Sequence, residues 1–176
     1  MAEAFFQATA WTMDTPKPYG AFHLVLTVLG VSLSIFLARK FSFPERKAGP
    51  DTILFLCGLF LGLTELYKQG FIYYIENGRT YDWWYFPFQL CSVPMYLGLF
   101  IPMVPARIRN VFYLFIQDFG LLGGIMALAE PSGLMHPYWT MTVHGFLWHF
   151  NLIFMGLICA FYNLKTETPK SYLHTI

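Results

Sequence analysis

The chain has 176 residues, of which 56% are hydrophobic, 20% aromatic and only 12% charged, with a mean hydropathy of +0.49. Soluble domains carry about a quarter charged residues, so this composition excludes an ordinary soluble domain and points to an integral membrane protein. The net charge of +1 names no partner, and the lack of a glycine-rich phosphate loop or a basic, aromatic-interleaved face argues against nucleotide or nucleic-acid binding.

Residues 1–20 mix Phe5, Phe6 and Trp11 with Asp14, Pro16 and Pro18 and have no basic start, so they are predicted to form an interfacial lead-in and not a cleaved signal. The transmembrane domain is expected over 21–163. Its first span, about 21–38, stops at Arg39-Lys40, and the loop with Arg46 and Lys47 belongs in the cytoplasm by the positive-inside rule. The second span, about 52–74, returns outward to the polar loop 76–82. Gly58 and Gly62 in it form a GxxxG pair suited to close helix packing. Trp83, Trp84 and Tyr85 then mark an aromatic belt, answered later by Tyr138 and Trp139.

The third span, about 86–104, ends at a turn with Arg107 and Arg109. The fourth, about 111–129, carries Gln117, Asp118 and Gly120, Gly123 and Gly124, and the fifth, about 138–162, leads into a short cytoplasmic tail over 164–176. Eight Lys and Arg (39, 40, 46, 47, 107, 109, 165, 170) flank the inner ends; only Lys17 and Arg79 lie outside, and Lys68 is within a span. The expected fold is therefore all-α: a polytopic membrane bundle of about five transmembrane helices, N-out and C-in, in the cell membrane.

The residues that do not suit lipid are the candidates for function. With a rise of about 1.5 Å per residue, Cys91, His144 and Lys68 fall at a depth of roughly 8 to 9 Å, and Asp118, His149 and Glu65 at roughly 14 to 17 Å. Glu65 and Lys68 are i, i+3 and Gln69 is i+4 from Glu65, so the three can pair on one face. A self-neutralising pair and a substrate or ion path are both open readings. His144, Trp148 and Asn151 share a face, whereas His149 lies about 140° from His144. The two imidazoles are expected to do different things.

Cys91 is a small buried hydrophobe unless a base or a positive charge activates it. The chain supplies what activation needs: imidazoles in the fifth span, Asp118 to orient one, and the Gln89 amide for an oxyanion. Gln89 and Cys91 are roughly 200° apart on a regular helix, so a shared site requires an irregular backbone, which Pro87 and Pro94 favour. All three cysteines, Cys57, Cys91 and Cys159, lie in apolar runs without CxxC or HExxH spacing, so neither a disulfide framework, a metal site nor a cofactor is expected.

Phe86-Pro87-Phe88-Gln89-Leu90-Cys91, then Phe119-Gly120-Leu121-Leu122-Gly123-Gly124 with Ala127-Leu128 and Pro131, then His144-Gly145-Phe146-Leu147-Trp148-His149, resemble in kind and order the YwaF-like integral membrane proteins. The resemblance covers roughly residues 50 to 163. That family is related to eukaryotic transmembrane acyltransferases that use a cysteine, and more distantly to the androgen-induced-protein lipid hydrolases. The resemblance implies acyl-chain chemistry in the membrane, with Cys91 at the nucleophile position and His149 matching the late histidine, His144 being the competing match. Bacterial members carry His at the Gln89 position, and family members continue into further spans, which makes a homo-oligomer one way to complete a site. The expected function is a thiol-dependent lipid acyltransferase or acyl hydrolase with membrane lipids as partners. A transporter path lined by Glu65, Lys68, Asp118 and His149, or a non-catalytic scaffold, are the alternatives.

Overall fold

Residues 21–41 contain no Pro, Asp or Glu and are apolar almost throughout, so nothing interrupts the backbone ladder and one helix forms, with Arg39 and Lys40 in its last turn, where the helix dipole favours cations. The structure, a computed structural model, describes residues 1–42 and 50–166. Arg46, Lys47 and Lys170, part of the expected charge bias, and most of the expected tail lie outside the described residues. Among the described residues the elements are α1 (Ala2–Thr9), α2 (Ala21–Phe41), α3 (Asp51–Phe71), α4 (Val93–Phe100), α5 (Ala106–Phe115), α6 (Leu121–Ala129) and α7 (Trp139–Thr166). A π turn, Ile72–Glu76, extends α3, and another, Ile116–Gly120, joins α5 to α6 as one continuous rod.

Among the described residues three helices are long and apolar enough to cross a membrane: Ala21–Phe41, Ala106–Ala129 and Trp139–Leu164. Half of the α7 window is buried in the molecule, against 17% for α2 and 28% for Ala106–Ala129, so α7 is the central post. Helices α2, α3 and α6 pack around it, and α3 also packs on α4. Leu61, Met95, Ile116, Trp148, Leu152 and Met155 meet in the main core. Outside it, α2 presents Leu24, Val25, Val28, Leu29, Leu33 and Phe36 outward. A surface as apolar as the core is what a helix needs in lipid, where association rests on close packing and interhelical hydrogen bonds. Ser34 on α2 supplies one such bond, its hydroxyl reaching the Phe150 carbonyl at 3.2 Å.

The expected third span is broken. Residues 86–89 are not helical, Leu90–Ser92 is a 3-10 turn, α4 has eight residues, and Ile101–Met103 is again 3-10. Pro87 and Pro102 each lack an N–H for the ladder, while Pro94 sits in the first turn of α4, where that N–H is not needed. The stretch Leu90–Met103 is therefore a short apolar helix, about 21 Å long at 1.5 Å per residue against a hydrocarbon core of about 30 Å.

The lead-in is pinned across the bundle end that carries Trp83, Trp84 and Trp139. Thr12 forms an antiparallel bridge with Tyr138, Trp139 N donates to the Trp11 carbonyl at 2.9 Å, and Met13 N donates to the Pro137 carbonyl at 2.9 Å. Phe6 stacks on Tyr74, and Thr9 and Tyr67 share a hydroxyl contact of 2.6 Å. Glu3 pairs with Arg79 and raises that guanidinium further above its ordinary value.

Candidate functional site

Cys91 sits in the 3-10 turn and not on a regular helix. Gln89 before it is extended, with φ −69 and ψ 155, so the two side chains that a helix would hold apart lie together, the Cys91 thiol 3.8 Å from Gln89 Oε1. The irregularity that the sequence requires is thus present, and it comes from the failure of helix after Pro87. Gln89 is exposed and Cys91 half-buried. The turn is held on the α7 side by Trp148, whose indole N–H points to the Cys91 carbonyl at 3.4 Å.

Two adjacent glycines of α6 bring the remaining groups in. A Cβ on Gly123 would lie 3.6 Å from Cys91 Cβ, and one on Gly124 would lie 2.9 Å from the His149 carbonyl and 2.5 Å from Ile153 Cγ1. One residue admits the cysteine turn and the next admits the His149 turn of α7. The His149 ring is fixed by Nδ1, 2.7 Å from the Gly145 carbonyl. A carbonyl only accepts, so Nδ1 carries the hydrogen and Nε2 keeps its lone pair, the arrangement of a general base.

His144 lies beside the indole that holds the Cys91 turn, and a Thr64 backbone group hydrogen-bonds its ring. Its ring lies 5.6 Å from that of Trp148, and its Nε2 is buried without a hydrogen-bond partner. On the same side, Lys68 Nζ lies 2.9 Å from Glu65 Oε1 and 6.0 Å from the centre of the Trp148 ring. Glu65 itself is 4% exposed. Among the described residues neither imidazole hydrogen-bonds the Cys91 sulfur.

Asp118 is not brought to either histidine. It lies on an exposed face of the π turn Ile116–Gly120, and its hydrogen bond there comes from Gln117 at 3.3 Å. Gln117 in turn accepts from Asn163 of α7 at 2.8 Å. Among the described residues no group of three His, Cys, Asp or Glu side chains could hold a metal ion. Two polar contacts are ones that the residue pattern does not foretell. His23, 2% exposed, has Nε2 3.1 Å from the Leu128 carbonyl of α6, and the Tyr85 carbonyl accepts from Gln69 Nε2 at 2.6 Å. A histidine in the first turn of an apolar helix is the signal for the first; a backbone carbonyl leaves no signal in sequence.

No curated protein and no solved structure matches the chain. A family model does match, that of the TMEM164 family, a family of transmembrane proteins, over residues 18–176. That stretch includes every apolar helix of the bundle together with Cys91, His144 and His149, and the chain belongs to the TMEM164 family.

Proposed function

We propose that this chain is a multi-pass protein of the cell membrane, N-out and C-in with five membrane segments, that carries a thiol-dependent acyl-transfer or acyl-hydrolysis site in its outer half. The charge bias supports the orientation: Arg39 and Lys40 at the end of α2 and Arg107 and Arg109 at the start of α5 fall at one set of helix ends. The observation that carries the chemistry is the Gly123–Gly124 seam, which admits Cys91 on one residue and the turn of His149 on the next, with His149 Nε2 left as a base. The resemblance to the YwaF-like proteins implies the same two roles for Cys91 and His149, with His144 the competing match for the second.

In this reading His149 Nε2 takes the thiol proton and the sulfur attacks the carbonyl carbon of an acyl ester. Negative charge collects on the carbonyl oxygen, where the Gln89 amide or a backbone N–H of the 3-10 turn donates. As the tetrahedral species collapses, the carbon–oxygen ester bond breaks, His149 returns its proton to the departing alkoxide, and an acyl thioester remains on Cys91. Water then gives hydrolysis, and a second lipid hydroxyl gives transfer. Asp118 contacts Gln117 and not an imidazole, so the Gly145 carbonyl takes the orienting role expected of it.

The test is labelling of the purified protein with a thiol-reactive probe bearing an acyl tail, across pH. Labelling should map to Cys91, proceed below a free thiol's pKa of about 8.5, and fall by about 10² in His149→Ala, the low end of the usual range for a general base. Cys91→Ser should abolish turnover of a fluorescent acyl ester. A folded wild type whose Cys91 stays inert, or turnover that survives both substitutions, overturns the reading.

A further inference from the structure

Glu65, Lys68 and Gln69 are three polar side chains on one face of α3, and their bonds form a chain that leads to the cysteine turn. Glu65 Oε1 accepts from Lys68 Nζ at 2.9 Å and from Gln69 Nε2 at 2.6 Å. The Gln69 amide has two N–H groups, and the second goes to the Tyr85 carbonyl at 2.6 Å. Tyr85 closes the 3-10 turn Trp83–Tyr85, and Cys91 follows six residues later through Pro87. The other end of the same stretch is held by Trp148 at the Cys91 carbonyl. Lys68, which shares Glu65 Oε1 with Gln69, lies 6.0 Å from the Trp148 ring.

A self-neutralising pair needs only Glu65 and Lys68. It does not explain why a 4%-exposed carboxylate gives one oxygen to two donors, one of which passes the bond on to a backbone carbonyl in a loop. That loop has no regular structure of its own between 86 and 89, so the Gln69 tether to Tyr85 and the Trp148 bond to Cys91 are what fix its two ends. From this geometry we infer that Glu65, Lys68 and Gln69 are the positioning residues of Cys91: Gln69 fixes the loop, Glu65 holds both donors in place, and Lys68 brings a positive charge to the thiol. Lys68 Nζ lies 6.0 Å from the ring of Trp148, whose indole N–H points to the Cys91 carbonyl at 3.4 Å, so the ammonium sits beside the cysteine turn. From α7 the His144 ring lies 5.6 Å from that same Trp148 ring, and from α6 Gly123 faces Cys91. The role of Lys68 rests on the thiol reading above; the tether does not.

The experiment therefore has two readouts. Hydrogen exchange of peptides covering 86–92 reports the loop, where Phe86 N, Phe88 N and Ser92 N are bonded at 3.1, 2.8 and 2.8 Å. Gln69→Ala should speed exchange there by about tenfold, the effect of one hydrogen bond at the upper end of the usual range, with the rest of the protein unchanged. Unchanged exchange in 86–92 sinks the tether. Glu65→Gln, which keeps an acceptor oxygen and the volume, should give a smaller increase and serves where Gln69→Ala does not fold. The second readout is the pH profile of Cys91 labelling by the acyl probe. Lys68→Met should slow it by about tenfold and move its midpoint to higher pH, while Lys68→Arg should restore most of the rate. Equal labelling of Lys68→Met and wild type, or no difference between Met and Arg, overturns the charge role. Should wild-type Cys91 not label at all, the thiol reading and the charge role fall together, and the exchange result still decides the tether.

Discussion

Thr142 is fully buried, and its hydroxyl serves two backbone groups at once: it accepts from His136 N at 3.0 Å and donates to the His136 carbonyl at 3.1 Å. Valine has nearly the same shape and neither capacity. Thr142→Val is therefore expected to cost about 1 to 3 kcal/mol, the usual effect of leaving buried polar groups unpaired, and a thermal melt in detergent measures it. The same logic separates the two imidazoles of α7. His149 is bonded through Nδ1 to the Gly145 carbonyl at 2.7 Å, whereas His144, bonded to a Thr64 backbone group, keeps a buried Nε2 with no partner beside Trp148. With His149 as the proposed base, His144→Ala should slow Cys91 labelling much less than His149→Ala. Their difference was legible from a five-residue spacing, but the choice between them was not, because an angle on a helix does not say which neighbours the helix has.

Among elements, the contact of α3 with α4 turns on one glycine of the GxxxG pair. A Cβ on Gly58 would lie 2.7 Å from Leu99 N and 2.9 Å from the Met95 carbonyl oxygen, both backbone, and one on the facing Gly98 would lie 2.7 Å from the Leu54 carbonyl oxygen. At Gly62 the nearest atom is the end of the Leu99 side chain, at 3.6 Å. Gly58→Ala should then destabilise by about 1 to 3 kcal/mol through overpacking, and Gly62→Ala should be near neutral; melts of the two variants compare them directly. Gly124→Ala meets Ile153 and the His149 carbonyl, so it should lower acyl-probe labelling along with stability, a pairing that Gly58→Ala does not share. The packing role was readable from the motif. Which glycine bears it depends on the crossing point with α4, whose start is set by the proline-broken stretch before it.

For the whole molecule, α7 ties the parts together: α2 and α6 lie along it, and the lead-in is bonded to its first turn through Trp11 and Trp139. A second clamp joins the start of α3 to α5, where Asp51 accepts from Arg109 Nη1 at 2.5 Å and from the Tyr113 hydroxyl. In the proposed orientation this clamp faces the cytoplasm, and the loops holding Asn77 and Ser132 face outward. Single cysteines placed at Asn77 and Ser132 in a protein otherwise free of cysteine should react with an impermeant thiol reagent on intact cells, and one at Arg107 only after permeabilisation; the reverse pattern inverts the topology. The sequence by itself determined the membrane class, helical runs at about 21–38, 52–74, 111–129 and 138–162, and the residue types that do not suit lipid, because composition and hydropathy act locally along the chain; the structure starts the fourth run earlier, with Arg107 and Arg109 inside α5. Only tertiary structure decided that the third run is broken at Cys91, that Gly123 and Gly124 join Cys91 to the turn of His149, that Gln69 reaches the Tyr85 carbonyl, and that Asp118 faces outward. Those outcomes depend on which helix faces meet, and in an apolar solvent that is settled by close packing and single hydrogen bonds between distant residues, which no local pattern records.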